Sequence, residues 1–230
     1  MINKIYFESL SSTNDYLKEN YQNYSTDTVI IANKQTNGRG RYDRVWVSND
    51  DLTFSILFVE NIDKHHNIIA PLSIIYTLLN KKVKADIKWP NDIYVNNQKL
   101  CGILIESIIN DDKKKCDIVG IGINFEINNL KDSISLNNFN IYDKEDILNQ
   151  IIENYYFLLK LPLEDLMKLY KIHSLILGKH ILYNDISYLI EDIDSNMELI
   201  LRSDKSKIRL NVNEIDIKSY LEFKNNVKKK

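Results

Sequence analysis

Apolar residues recur along this chain with two different periods, and each period predicts a different kind of element. Short runs of apolar and β-branched residues predict strands at 4–7, 28–33, 52–59, 93–95, 100–105 and 117–125. Apolar residues spaced three or four positions apart predict helices at 65–82, 144–160 and 163–174. The polar stretch 11–15 contains Ser, Thr and Asn, which are preferred helix N-caps, so a further short helix is expected after it.

Polar segments between these elements predict turns or loops at 89–92, 96–98 and 128–142. His65 and His66 are expected to be exposed at the start of their helix, since no second set of ligands suggests a metal site there. Pro71 is compatible with that helix if it lies in the first turn. Pro162 is expected to open the helix at 163–174 at its first turn.

The pattern changes after Gly178, where short alternating strands are predicted at 179–183, 187–191, 197–202, 208–212 and 215–217. Short strands at this spacing favour a small β-barrel. We therefore expect two domains, residues 1–174 and 175–230, with a boundary between residues 172 and 178. The lysines at 228–230 are expected to form a disordered tail.

Composition narrows the class of protein. The formal net charge is −2, which argues against a general electrostatic nucleic-acid binder. Two cysteines without metal-binding spacing favour a reducing compartment. The chain has neither a run of 18 apolar residues nor a signal-peptide pattern, so a cytoplasmic location without membrane contact is the default expectation.

Segment 35–46, QTNGRGRYDRVW, concentrates Arg, Gly and Trp, which are scarce elsewhere in the chain. It holds three of the five arginines, two of the six glycines and one of the two tryptophans. The arginine fork suits bidentate contact with carboxylate or phosphate, and glycine between arginines lets the backbone approach a ligand. From composition alone, anion binding and a solvated basic loop are both open.

Gly120 and Gly122 lie two apart in a predicted strand and therefore on one face of it. Glycine weakens a strand, so the pair indicates either close approach by a ligand or another backbone, or a β-bulge. Only Gly178 lies outside the three stretches 35–46, 87–106 and 117–125. The glycines thus mark where a pocket is expected.

Five motifs follow one another between residues 11 and 125: Ser12-Thr13-Asn14; Gln35, Gly38-Arg39-Gly40-Arg41 and Trp46; Lys88-Trp89-Pro90-Asn91-Asp92; Lys99-Leu100 and Gly102-Ile103-Leu104; Gly120-Ile121-Gly122-Ile123-Asn124. In this order they resemble biotin protein ligase. The resemblance implies an α/β (α+β) catalytic domain with a mixed sheet, related to class II aminoacyl-tRNA synthetases, and a small SH3-like β-barrel after it. It also implies that biotin and ATP form biotinyl-5′-AMP, whose biotinyl group then passes to a lysine of a biotin carboxyl carrier domain.

The resemblance also implies roles for individual residues. The expected biotin-binding residues are Ser12, Thr13, Asn14, Gln35, Gly38, Arg39, Gly40, Arg41, Lys99, Gly102, Gly120 and Gly122. The expected ATP-binding residues are Arg39, Arg41, Trp46, Lys88, Asn91, Lys99 and Asn124. Lys99, Asp92, Arg39 and Arg41 are expected to be catalytic, with Asp92 also a candidate Mg²⁺ ligand. Trp46 is expected to stack on adenine, and Gly120 and Gly122 to leave room for the biotin rings.

Departures from the family pattern and rival functions qualify these expectations. Tyr42 and Asp43 replace the small or basic residues usual in the loop, and Asp43 lowers its positive charge.

Two alternative functions are a lipoate-protein ligase of the same fold and a non-catalytic binding module, such as an RNA binder. Only about ten residues precede Ser11, so no DNA-binding winged helix and no DNA partner are expected. A homodimer is a further expectation.

Overall fold

The computed structural model describes residues 2–42, 44–46, 50–62, 64–110, 113–126 and 132–211. The larger part of the described chain contains nine strands: β1 (Asn3–Leu10), β2 (Thr28–Gln35), β3 (Gly38–Arg39), β4 (Val45–Trp46), β5 (Leu52–Phe58), β6 (Asp86–Lys88), β7 (Asp92–Val95), β8 (Gln98–Asn110) and β9 (Lys113–Ile123). Its α-helices are α1 (Thr13–Asn20), α2 (His66–Asn80), α3 (Lys144–Leu158) and α4 (Leu163–Ile172). The strands that follow are β10 (His180–Tyr183), β11 (Ile186–Ile193), β12 (Leu199–Arg202) and β13 (Lys207–Leu210).

Seven strands form one mixed sheet in the order β1-β2-β5-β9-β8-β7-β6. Only β1 and β2 run parallel; the other neighbouring pairs in this sheet are antiparallel. β3 and β4 form a separate hairpin, and β10 to β13 form a four-stranded antiparallel sheet. The expectation of a mixed sheet followed by a small β domain is confirmed.

The centre of the large sheet is covered on both faces. All seven residues of β5 are buried, which explains why this strand reads as an unbroken apolar run. One face packs against α2 and α3 through a large hydrophobic cluster. The other face packs against α1 through a smaller cluster that includes Leu17, Ile30 and Ile118. The short helix α1 is thereby held flat on the middle of the sheet.

Two backbone hydrogen bonds and one side-chain hydrogen bond connect the large sheet to the part of the chain that follows α4. The amide of Ile87 donates to the carbonyl of His173, and the amide of Leu175 donates to the carbonyl of Ile87. The indole of Trp89 is buried and donates to the carbonyl of Met197 at 2.9 Å. Buried residues of both sheets share one hydrophobic cluster. The domain boundary at 172–178 stays a prediction.

Most predicted elements are confirmed, and the differences are local. Asn96 and Asn97 form the hairpin turn with φ of 51° and 62°, a conformation that asparagine tolerates. Pro71 lies inside α2, beyond its first turn, and Pro162 is the N-cap of α4 rather than its first residue. A 3₁₀-helix at Leu136–Phe139 occupies part of the predicted loop. The predicted strand at 215–217 and the lysine tail lie outside the described residues.

The expectation that His66 is exposed is wrong, whereas His65 is exposed. His66 is buried with Tyr155 on one side and the carbonyl of Asn61 on the other, at 2.8 Å from Nδ1 and 2.9 Å from Nε2. The Asn61 carbonyl only accepts, so Nε2 carries a hydrogen, and Oδ2 of the buried Asp117 lies 3.6 Å from the same nitrogen. Burial raises the pKa of Tyr155 well above its usual value, so its hydroxyl stays protonated.

We expect Tyr155→Phe to lower the free energy of unfolding by about 1–3 kcal/mol, because it leaves a buried imidazole nitrogen without its hydrogen-bond partner. The matched control is Tyr142→Phe, since the Tyr142 hydroxyl bonds Asn140 on the surface. That change should stay within about 0.5 kcal/mol. Urea unfolding followed by circular dichroism measures both variants, and equal losses would contradict the assignment.

Candidate functional site

Glycines on β8 and β9 form a floor that lacks side chains. Gly102 pairs with Gly122, and Leu104 pairs with Gly120, so the three glycines lie on one face of the two strands. A methyl group added at Gly120 would lie 2.2 Å from Oδ1 of Asn14, and one at Gly122 would lie 2.6 Å from the Trp46 ring. Glycine is therefore required there for α1 and the indole to approach the sheet.

The first turn of α1 brings the predicted polar residues to this floor. Ser12 caps the helix by accepting from the amide of Asp15 at 3.3 Å. The amide of Thr13 donates to Oε1 of Gln35 at 2.8 Å. Because Oε1 of Gln35 is used in this way, its NH₂ group is the end that faces Gly38, whose added methyl would lie 3.2 Å from it.

Ser55, which the sequence analysis did not single out, lies at the base of this polar group. Its hydroxyl is fully buried and lies 2.6 Å from both Thr13 Oγ1 and Asn14 Oδ1. The amide oxygen of Asn14 only accepts, so in that contact the Ser55 hydroxyl is the donor. The Thr13 hydroxyl, which Ser55 also contacts, lies 3.2 Å from Oε1 of Gln35. The sequence signal for this role was a serine within the apolar run of β5. Ser55 lies two residues after Thr53, on the face of the strand toward α1.

Arg39 is held by two carboxylates. Its Nη2 lies 2.6 Å from Oδ1 of Asp15 and 2.9 Å from Oε2 of Glu106, and its Nε lies 3.0 Å from Oδ2 of Asp15. Glu106 also accepts from Asn14 at 2.8 Å and pairs with Lys18. Asp15, Lys18 and Glu106 belong to the site, although the sequence did not indicate this. Their partners are far apart in the sequence, so no local motif identifies them.

The Gly-Arg segment is a tight hairpin. Gly38 and Arg39 pair with Val45 and Trp46, and the amide of Gly40 donates to the carbonyl of Arg44 at 2.7 Å. Gly38 is required because a methyl group there would lie 2.6 Å from the Trp46 carbonyl, whereas the space at Gly40 would accept one in ordinary contact. Asp43 lies outside the described residues.

Arg41 reaches from this hairpin toward the large sheet. Its guanidinium lies 3.4 Å from Oδ1 of Asn91 and 4.9 Å from the ring centroid of Tyr42. Asn91 is fixed in turn, because its amide donates to the carbonyl of Ile103 at 2.6 Å. Arg41 and Asn91 therefore bring the arginine hairpin into contact with the segment Lys88–Asp92.

Lys99 and Asp92 form an ion pair beside the glycine floor. Their atoms Nζ and Oδ1 are 2.7 Å apart, and both side chains are partly buried. Nζ of Lys99 lies 5.8 Å from the Trp46 ring centroid, and a methyl group added at Gly102 would lie 3.2 Å from it. Lys99, Asp92, Gly102 and Trp46 are thus brought together as predicted.

Two of the predicted ATP-binding residues are engaged with other parts of the chain. Lys88, on edge strand β6, lies 3.3 Å from the Tyr94 hydroxyl and 4.7 Å from its ring centroid. Asn124 donates both amide hydrogens, to the carbonyls of Lys99 at 3.0 Å and Ile134 at 3.2 Å. Asn124 therefore fixes the backbone that carries Lys99.

Trp46 covers the floor on which the biotin rings were expected to lie. Its indole rests against Gly102 and Gly122. Its Nε1 is buried, and the described residues place no hydrogen-bond acceptor within reach of it. This indole must move, or share the space, when any ligand enters.

The described residues do not fit a resident magnesium site. They contain no group of three His, Cys, Asp or Glu side chains arranged to hold a metal ion. Asp92 already has the ammonium of Lys99 as its partner. The helices among the described residues also include none with the length and hydropathy to span a bilayer.

Known proteins of similar sequence include biotin–protein ligases. The chain is 35% identical over 128 residues to the bifunctional ligase/repressor BirA of Bacillus subtilis, which is 52% of this chain and 39% of that protein. It is 25% identical over 168 residues to biotin–protein ligase 2 of Arabidopsis thaliana, or 64% and 49% of the two chains. The chain thus spans less than half of these relatives.

Solved structures share the whole fold. The biotin protein ligase from Aquifex aeolicus in complex with biotin and ATP matches with a TM-score of 0.76 and 24% identity, over 94% of this chain and 98% of that one. The model of the biotin/lipoate A/B protein ligase family matches residues 6–124. Because this match covers more than half of the 230 residues, the protein belongs to the biotin/lipoate A/B protein ligase family.

Proposed function

We propose that this protein activates biotin with ATP to biotinyl-5′-AMP and transfers the biotinyl group to a lysine of a biotin carboxyl carrier domain. The observation that carries the proposal is Lys99 on a rigid strand, beside the glycine floor and under the arginine hairpin. Support also comes from the Aquifex aeolicus protein of the same fold, whose structure contains biotin and ATP.

Adenylation brings two anions together. A carboxylate oxygen of biotin attacks the α-phosphorus of ATP, and the bond from that phosphorus to the pyrophosphate oxygen breaks. Cations fixed beforehand lower the barrier most effectively. The ammonium of Lys99 has three N–H donors, so it can hold Asp92 and still donate to carboxylate and phosphate oxygens. Arg41 supplies the second cation from the hairpin.

Arg39 acts differently in this proposal. Two edges of its guanidinium are held by Asp15 and Glu106, so its charge is already compensated. Its contribution to biotin and ATP binding is therefore through the position of the hairpin backbone. Neutralising the substrate charges falls to Lys99 and Arg41.

Neutral polar groups at the start of α1 suit the uncharged ureido ring of biotin. Ser12, Thr13 and Asn14 are nearly inaccessible in their present contacts, and Gln35 offers its NH₂ group toward Gly38. A buried site built to bond such a ring strongly rejects a ligand without it, because the polar groups are left unpaired. This argument favours biotin over lipoate.

The nucleotide would lie on the side of Arg41, Asn91 and Lys88. Trp46 lies between that side and the glycine floor, so we propose that the hairpin lifts to admit the substrates and closes with the indole against adenine. Asn124 contributes by fixing Lys99. Mg²⁺ is proposed to enter as the counterion of the ATP phosphates.

The second half-reaction transfers the biotinyl group. The amine nitrogen of the acceptor lysine attacks the acyl carbon of the adenylate, an amide forms, AMP leaves, and the amine gives up a proton. Asp92 is the carboxylate that we propose orients that amine, since it lies beside Lys99. The carrier domain that we propose as partner is cytoplasmic, and both cysteines of this protein are free and buried. A homodimer is also part of the proposal.

Biotin-dependent exchange of labelled pyrophosphate into ATP tests the proposal without an acceptor protein. We expect exchange with biotin and Mg²⁺, and little with lipoate, because the polar pocket is matched to a ureido group. No exchange from folded protein would refute the enzyme function. Exchange with lipoate in place of biotin would establish the rival ligase.

Two substitutions separate the roles of Lys99 and Arg41. Lys99→Ala should reduce adenylate formation at least about a hundredfold, since it removes a cation fixed on a strand. Arg41→Gly should retain synthesis but release more adenylate, since the hairpin loses an anion contact. Rapid quenching measures formation, and labelling of unrelated lysines measures release.

Lys179→Ala, at an exposed lysine before β10, is the control and should change neither rate. Near-normal synthesis by Lys99→Ala, or none by Arg41→Gly, would show that this division of roles is wrong.

A further inference from the structure

One carboxylate, that of Glu106, joins three separate elements around the site. It lies on β8, on the same face as Gly102, because the two residues are four apart in a strand. It accepts from Asn14 and pairs with Lys18, which lie one turn apart on α1. It also holds Nη2 of Arg39 in the hairpin, at 2.9 Å from Oε2 and 3.1 Å from Oε1. A strand, a helix and the hairpin thus meet at a single group.

The charges in this cluster balance. Lys18 and Arg39 face Asp15 and Glu106, so two cations meet two carboxylates. Burial on its own would raise the pKa of Glu106, but hydrogen bonds from Lys18 and Asn14 and the charges of Lys18 and Arg39 outweigh it and hold that pKa below the usual range. Glu106 is therefore ionised at neutral pH.

The arrangement fixes the hairpin at its stem. Arg39 is in β3, directly paired with Val45 in β4 and one residue from Gly38, which pairs with Trp46. Beyond this stem, Gly40 and Arg44 close the turn that carries Arg41. A shift of Arg39 therefore moves both the indole over the glycine floor and the guanidinium beside Asn91.

We propose that Glu106 is a positioning residue which, through Arg39, fixes the stem of the Gly-Arg hairpin and so sets the positions of Trp46 and Arg41 over the substrate pocket. The effect of Glu106 on substrate binding rests on the proposed function, whereas its effect on the position of the hairpin does not. Glu106 contributes geometry and not chemistry, because its oxygens are occupied by three partners on the protein.

Glu106→Gln is the sharpest variant, because it removes the charge while keeping the size and an oxygen that can accept from Asn14. Without ligands, amide hydrogen exchange at residues 38–42 should accelerate about tenfold or more, as expected when a charge-assisted hydrogen bond is weakened. The fluorescence of Trp46 should also shift to longer wavelength, because its indole becomes more exposed. Trp89 is buried against Met197 and remains unchanged.

In pyrophosphate exchange, Glu106→Gln should raise KM for biotin about tenfold and change kcat by less than about threefold, since binding geometry is lost but Lys99 stays in place. A merely structural role would instead lower thermal stability and kcat together. Glu145→Gln is the matched control, because Glu145 is also a carboxylate held by a lysine and an asparagine, Lys4 and Asn149, but away from the hairpin.

Arg39→Gln is the second variant, and it keeps the proposal testable if Glu106→Gln does not fold. If Glu106 acts through Arg39, the double variant should be no worse than either single one in hairpin exchange and in KM. Additive effects would overturn the proposal, as would unchanged exchange at residues 38–42 in a folded Glu106→Gln protein. If the wild-type protein catalyses no pyrophosphate exchange, the proposed function fails, and the amide-exchange arm still decides the role of Glu106.

Discussion

The site depends on close approach across a surface without side chains. Gly102, Gly120 and Gly122 leave the centre of β8 and β9 bare, so Asn14 and Trp46 rest directly on the sheet. Distances of 2.2–2.6 Å to an added methyl group show that even alanine would force these groups apart. A sheet surface that packs this closely against α1 and the Trp46 indole can pack equally closely against a flat ligand once the indole moves away.

The cations around this floor differ in how firmly they are held. Lys99 is part of β8, and the side-chain amide of Asn124 donates to its backbone carbonyl. Lys99 is therefore placed accurately before any substrate arrives. Arg41 is carried by a turn and can follow its ligand. Arg39 lies between them, tied to Asp15 and Glu106. The same motif thus contains one arginine held by two carboxylates and one that we propose binds substrate.

Sequence patterns predicted the elements well because the signals are local. Apolar periodicity gave the strands and helices, and the glycine pair on β9 marked the floor correctly. What local patterns could not provide was pairing across long sequence separations. Glu106 lay just beyond the predicted strand 100–105, His66 was predicted at an exposed helix start, and Ser55 was part of a predicted strand. Each has a hydrogen-bond partner 41 to 92 residues away.

We propose that this protein forms biotinyl-5′-AMP and transfers its biotinyl group to a carrier lysine with release of AMP. The most direct measurement is intact-protein and peptide mass spectrometry of a purified biotin carboxyl carrier domain after incubation with the protein, biotin and ATP. We expect one added biotinyl group on one lysine, absent when ATP is omitted or when that lysine is replaced by arginine. An unmodified carrier domain, or modification that does not require ATP, would contradict this proposal.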